Sequence, residues 1–457
     1  MMASATSAGR AIFMGTFSAQ ARRVLGFGSA GKLQNAAGVL KKQGRVAVAT
    51  WRRRRTKATV IGITGSSAKT TTTELLAHIL GAEGSVHKQT KGNTFKPLSQ
   101  SLSRLPRNTD YAVMEVAAGK SSMAEMASLL KPDIAIITMV ANEHRSVFRG
   151  ADGVAAEKQW LVKSLLPGGL AMLNADDARV MAMAAASAAR VVTFGCGEQA
   201  NYRVTAIHAS FPRRLTMRMN WPDGVLSLRT RFVAEHFWLP VAAAVATALE
   251  LGIDPELVGE RVACFEPLFN RFGVLEIRHG PTFLLDTAKA PLHSLGLAFA
   301  ALDRAEAPRK RVVLGNVSDY AGKASNAYRK AYRDAQAVAQ ETIFVGEHAH
   351  RAAPSDHDRN SGRFQEMRSV RKAADYIKAT QRPDELILIK GSSNLHLERI
   401  ALAITRDVKC WEDVCGLTRS CVSCGKFGAP FEQHGEIRAA QKRARRWWRR
   451  LFSPAIG

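Results

Sequence analysis

Lys69 and Thr70 follow a tight turn in the run Gly62-Ile-Thr-Gly-Ser-Ser-Ala-Lys-Thr-Thr-Thr-Thr73. An ammonium and a hydroxyl side by side at the start of a helix suit a polyphosphate. The N–H groups of the turn and of the helix N-terminus face the anion, Lys69 reaches the outer phosphates, and the Thr70 hydroxyl can ligate Mg²⁺. The candidate contact set is Gly65, Ser66, Ser67, Ala68, Lys69, Thr70 and Thr71. The strict pattern G-x-x-x-x-G-K-[ST] is not met, because Ile63 and Ala68 stand at its two glycine positions. By itself the stretch is either a phosphate loop or a strand-to-helix turn with an incidental Lys-Thr pair.

The elements that must position it are legible. Val60, Ile61 and Ile63 are a β-branched strand that ends at Gly65, and Leu75, Leu76, Ile79 and Leu80 recur at helical spacing after it. Between 58 and 272 short apolar runs (111–116, 134–140, 170–174) alternate with helical stretches (122–130, 154–166), which predicts parallel strands with crossover helices. Residues 202–232 read as a small β excursion turning at Pro222-Asp223-Gly224, and an Ala-rich helix is expected over 237–251. A second α/β unit is expected over 273–409, with strands at 282–285, 311–314, 341–345 and 386–389.

A chain of 457 residues implies two or three domains, and with 46% hydrophobic residues it can bury ordinary cores. No uninterrupted apolar run of 18 residues or more occurs, which excludes a predicted spanning helix. The net charge is +26, but residues 1–57 hold 12 Lys/Arg and no acid, and residues 438–457 hold 7 and no acid. Two cationic ends therefore flank an ordinary globular body. Such ends attract anionic membrane, nucleic acid or a phosphorylated substrate. In the last of them Trp447, Trp448, Leu451 and Phe452 interleave with arginines, which suits an anionic membrane surface better than a duplex; a solvated tail is the plain alternative. The first is Ser/Ala/Arg-rich, with an amphipathic helix expected around 33–42, and also resembles an organelle transit peptide. Six cysteines without an extracellular framework fit a reducing cytoplasm. Four of them, Cys410, Cys415, Cys421 and Cys424, fall within fifteen residues and include one C-x-x-C, a spacing that Zn²⁺ accepts; buried free thiols are the other reading.

Further stretches, in order, resemble the ATP-dependent Mur ligases over about residues 58–405. After the phosphate loop come Val113-Met-Glu115-Val-Ala117, Lys131-Pro-Asp-Ile-Ala-Ile-Ile-Thr138 leading to Glu143-His144, and Ala155-Ala-Glu-Lys158. Leu173-Asn-Ala-Asp-Asp177, Asn270-Arg271-Phe272, Asp286-Thr-Ala-Lys-Ala-Pro291 and Lys390-Gly-Ser392 complete the series. The resemblance implies a P-loop-type parallel-sheet ATP-binding domain (58–272) followed by a Rossmann-like α/β domain (273–409). These would lie between a basic segment (1–57) and a Cys-rich, basic and aromatic tail (410–457).

It also implies an amide ligase that activates a carboxylate as an acyl phosphate. Lys69, Glu115, His144 and Lys158 would be catalytic, and Thr70, Glu115, His144 and a carbamylated Lys158 would hold Mg²⁺. Arg271 and Asp286 would grip nucleotide from the far domain. A cytoplasmic enzyme acting on a cell-envelope precursor is implied, with an amine or amino acid as second substrate and no specific nucleic acid. The family's first domain, which holds a UDP-sugar, is not expected within the 57 residues of the basic segment. A lipid-linked acid and a peripheral position at the inner face of the membrane are therefore expected as well. Met139, Phe237 and Pro240 stand where the family has asparagines, and Ala68 where it has glycine. A degenerate, nucleotide-binding scaffold at the membrane surface is the alternative.

Overall fold

The computed structural model describes residues 30–90, 92–117, 119, 122–143, 148 and 150–452. A long basic helix, α1 (Ala30–Arg55), leads in. Arg53 near its end is buried: Nε donates to Leu130 O at 2.8 Å and Nη2 to Lys131 O at 2.6 Å and Asp133 Oδ2 at 2.9 Å. The same carboxylate oxygen accepts the Val60 N–H at 2.8 Å, so the helix is tied to the start of the first strand.

A first unit follows with β1 (Thr59–Thr64), α2 (Lys69–Leu80), β2 (Val86–Gln89), α3 (Phe95–Ser103), β3 (Tyr111–Glu115) and α4 (Met123–Leu130). It continues through β4 (Ile134–Ile137), α5 (Gly150–Lys163), β5 (Leu170–Asn174), α6 (Ala178–Met181), β6 (Arg190–Gly195) and the strands β7 (Tyr202–Ser210), β8 (Arg213–Trp221) and β9 (Gly224–Arg229). Their order in one sheet is β2-β3-β1-β4-β5-β6-β7-β8-β9. The strands from β2 to β6 pair parallel, and every residue of β4 and β5 is buried, as expected when helices cover both faces. β7 to β9 are antiparallel to one another, so the β excursion extends the main sheet instead of standing apart from it.

Two helices, α7 (Trp238–Glu250) and α8 (Pro255–Cys264), lead to the second unit. It consists of β10 (Gly273–Glu276), β11 (Thr282–Asp286), α9 (Leu292–Arg304), β12 (Lys310–Leu314), α10 (Ala324–Gln336), β13 (Glu341–Val345), α11 (Asp356–Asn360), β14 (Phe364–Met367), α12 (Val370–Thr380), β15 (Leu386–Lys390) and α13 (Glu398–Thr405). The sheet order is β10-β11-β15-β12-β13-β14, parallel except for the β10 edge. The tail adds a single turn, α14 (Cys421–Cys424), and a basic helix, α15 (His434–Phe452). No helix among the described residues is long and apolar enough to cross a membrane.

The two units touch at one side. Ser210 Oγ donates to Arg304 O at 2.6 Å and the Glu306 N–H to Phe211 O at 2.8 Å, and one apolar cluster runs through both units there. On the other side the C-terminal ends of β1, β3 and β4 face those of β11 and β15. In open parallel sheets this is where ligands bind.

Candidate functional site

The turn after β1 is built for close approach. Gly65 has φ 153°, and a Cβ there would run into the Thr138 hydroxyl. Thr138 Oγ1 donates to Ser67 O at 2.7 Å, the Ser66 N–H to Met139 O at 2.8 Å, and the Ala141 N–H to Ser66 Oγ at 2.8 Å. The 138–141 segment is itself held from below, by Asn174 Nδ2 to Thr138 O at 2.8 Å and the Val140 N–H to Asp177 Oδ2 at 2.7 Å. The Leu173–Asp177 stretch singled out from sequence is thus a support beneath the turn. Ala68 caps α2 in the left-handed conformation, φ 68° and ψ −17°, and makes no side-chain cap to the first N–H groups of the helix. Those donors face the cleft, and Lys69 Nζ folds back onto Gly65 O.

At the end of β3, Glu115 is buried with both oxygens engaged. Thr70 Oγ1 donates to Oε2 at 2.9 Å and Asn93 Nδ2 to Oε1 at 2.7 Å. A carboxylate and a hydroxyl this close, at the start of a helix, are a hard-oxygen pair of the kind Mg²⁺ takes, so the residues fit the ion. Lys158 on α5 is fully buried and ion-paired with Glu143, which is also buried. Burial, and next the charge of Lys69, bring the Lys158 amine down to about 8 against the opposing pull of Glu143. His144 lies outside the described residues.

The opposite wall comes from the second unit. Asp286 and Lys390 are register partners on β11 and β15, and Lys390 Nζ donates to Asp286 Oδ2 at 2.6 Å and to Lys289 O at 3.0 Å. Arg271 and Lys289 line the same cleft as Lys69, Thr70 and Glu115. Lys289 is brought down to about 8, first by Lys69, then by burial and by Arg271. The charge of Lys69 thus depresses the lysine on the facing wall, as expected of a site shaped to receive phosphates. His236 lies between Phe237 and Phe272, with ring centroids 4.5 Å and 5.3 Å away. Burial lowers it to about 4, and Lys390 adds to this against Asp286. Phe237, Leu239 and Pro240 continue that apolar wall.

Of the residues expected from sequence, Ser66, Ser67, Ala68, Lys69, Thr70, Thr71, Glu115, Arg271 and Asp286 line this one cleft, while Gly65 supports it and Lys158 is sealed beneath it. Asn93, Glu143 and Lys289 were not singled out. Glu143 and Lys289 lie inside quoted motifs, next to His144 and within 286–291, and a search for charged neighbours of the named residues would have raised them. Cys410, Cys415, Cys421 and Cys424 form a separate cluster.

Residues 63–248 match the family model for the Mur ligase middle domain. UDP-N-acetylmuramoyl-tripeptide–D-alanyl-D-alanine ligases are similar over most of the chain. That of Mycobacterium bovis is 27% identical over 389 residues, covering 79% of this chain and 74% of its own. That of Escherichia coli is 25% identical, covering 79% and 80%. Among solved structures, a MurF from Acinetobacter baumannii superposes with a TM-score of 0.71 at 23% identity, covering 79% of this chain and 80% of its own. The MurF ligase of Thermotoga maritima in complex with ADP gives 0.70 at 19%, covering 79% and 83%.

Proposed function

We propose that this chain is a ligase of the Mur type and joins a carboxylate to an amine with ATP by way of an acyl phosphate. The observation that carries the reading is the convergence of Lys69, Thr70 and Glu115 from one sheet with Arg271, Lys289, Asp286 and Lys390 from the other around a single cleft.

In this reading the N–H groups of the 65–70 turn take the β-phosphate, and Lys69 swings from the Gly65 carbonyl to the β,γ-bridge. Thr70 and Glu115 would hold Mg²⁺, which would supply charge screening and polarisation at the phosphates. Arg271 and Lys289 neutralise that group from the far wall as a carboxylate oxygen of the acid attacks phosphorus and ADP leaves. The amine then attacks the acyl carbon, and phosphate departs with the former carboxylate oxygen. Lys158, lowered to about 8, has a larger neutral fraction than an ordinary lysine, and the neutral amine is the form that takes up CO₂ as a carbamate. The adenine would rest on the apolar wall of His236, Phe237 and Pro240, recognised by contact in place of side-chain amides.

The relatives' names point to a peptidoglycan-type precursor as the acid and an amino acid or dipeptide as the amine. A lipid-linked acid is the finer form of this reading. Its support is the basic helix α15, where Trp447 and Trp448 are more than half exposed. The scaffold alternative rests on Ala68, Met139, Phe237 and Pro240, which line the cleft, while Lys69, Thr70, Glu115 and the buried Lys158 support the ligase.

The test is phosphate release from ATP with pooled envelope precursors and amino acids, wild type against Lys69→Ala. Turnover that requires acid, amine and Lys69 is expected; absence of Lys69-dependent turnover with every acceptor would overturn the reading.

A further inference from the structure

The tail carries a cluster that amide formation does not use. Cys410, Cys415, Cys421 and Cys424, none in a disulfide, line one small cavity with His396 and His434. Cys421 and Cys424 share the single turn α14, which Ser420 caps and Gly425 ends at φ 67°. A C-x-x-C on one turn is the usual half of a tetrahedral thiolate site.

Three further observations point to an ion. His396 is 2% exposed, its Nε2 lies 3.0 Å from Cys415 Sγ, and its Nδ1, 3.5 Å from Glu398 Oε1, is buried without a hydrogen-bond partner. Ligand atoms of His396, Glu398 and Cys421 lie within 4.8 Å of one another, a metal-sized group that adjoins the cysteine cluster and shares Cys421 with it. Secondly, two buried cations back the cluster: Arg399 Nη1 donates to Cys410 O at 2.8 Å and Lys426 Nζ to Cys424 O at 3.3 Å. Four thiolates around Zn²⁺ carry a net charge of −2, and the buried Glu398 carboxylate, which accepts the Cys421 N–H at 2.8 Å, adds one more; the two cations offset two of these three charges. Thirdly, the segment has little else to hold it. Among the described residues its own apolar cluster has Leu402, Val408 and Cys421 as buried members, a core of the size that small folds supplement with a metal.

We propose that Cys410, Cys415, Cys421 and Cys424 bind one Zn²⁺, with His396 beside Cys415, and that the ion fixes the tail as part of the cleft wall. Soft thiolates in a closed cavity favour zinc over the hard cations that Thr70 and Glu115 suit. Thr418, Arg419 and Ser420, in the loop between Cys415 and Cys421, line the same cleft as Lys69 and Lys390. Binding would thus couple the tail to the site without entering the chemistry.

The test is metal analysis of the full-length chain, purified without chelators and without a metal-binding tag. About one zinc per chain is expected in the wild type and in Cys196→Ser/Cys264→Ser, whose cysteines lie outside the cluster. Less than about a tenth of that is expected in Cys421→Ser/Cys424→Ser. Cobalt reconstitution should give thiolate-to-cobalt charge-transfer absorption in the wild type, and chelation should open residues 406–434 to protease while the two sheets stay intact. Wild type without zinc even after reconstitution, or equal zinc in the Cys421/Cys424 variant, would overturn the proposal.

Discussion

Thr70 Oγ1 lies 2.9 Å from Glu115 Oε2, so the second residue of α2 and the residue that ends β3 are directly joined. Strand pairing sets this contact, since Ile63 and Glu115 are register partners and the turn leaves its strand one residue later. The other carboxylate oxygen is fixed by Asn93 at 2.7 Å.

In the proposed site Asn93 would orient the carboxylate that holds Mg²⁺. Asn93→Ala is expected to raise the Mg²⁺ concentration needed for half-maximal phosphate release by about 10- to 100-fold, the range typical of outer-shell partners. An unchanged Mg²⁺ titration would mean that Glu115 is held by Thr70 alone.

Ala68 holds φ 68°, where a Cβ costs about 1 kcal/mol or more, whereas glycine would add a comparable entropy to the unfolded chain. The two terms nearly cancel, so Ala68→Gly is expected to unfold in urea at or slightly above the wild-type midpoint. Ala68→Val places a β-branched side chain in the same conformation and is expected to lose about 2 kcal/mol. Equal midpoints for Val and Ala would show that the turn relaxes.

For Lys158 the pH dependence has a definite sign. Its native value of about 8 lies below the 10.5 of a free lysine, with burial as the main cause. The native chain then binds fewer protons than the unfolded one between those values, so this residue's contribution to stability rises with pH from about 8 to 10.5 and stays at its lowest below about 8. Comparing urea midpoints of wild type and Lys158→Met across that range should show the wild type gaining on the variant. A constant gap would mean that the amine titrates normally.

The cationic α15 should bind anionic bilayers. Deletion of 438–457 is expected to abolish flotation with phosphatidylglycerol-containing liposomes and to leave soluble ATP turnover intact. Undiminished flotation of the truncated chain would remove the membrane reading.

Much of the framework was readable from residue type alone. The β-branched Val60, Ile61 and Ile63 mark β1, and the Ala-rich helix expected over 237–251 is α7, Trp238–Glu250. The parallel order followed from alternation. What was not readable depends on contacts through space. Helix α1 runs from 30 to 55, well past the 33–42 expected, because its long polar stretch offers little periodicity and is fixed by Arg53 at Leu130, Lys131 and Asp133. Residues 202–232 look like strands, but nothing local says that they extend the main sheet. The same holds in the cleft. Lys69 and Thr70 announce themselves by spacing, while Lys289 gains its character only from Lys69 across the gap, and Asn93 from Glu115. In the tail, cysteine spacing was visible, but Arg399 and Lys426 behind it were not.

The most direct test of amide formation through an acyl phosphate follows a carboxylate oxygen. With an acid and amine found by the release assay, the acid is supplied with both carboxylate oxygens as ¹⁸O, and the phosphate formed from ATP is examined by mass spectrometry. Transfer of one ¹⁸O to each phosphate, lost together with turnover in Lys69→Ala, is the expected result. Phosphate released without label, while amide product accumulates, would contradict activation of the carboxylate by phosphoryl transfer.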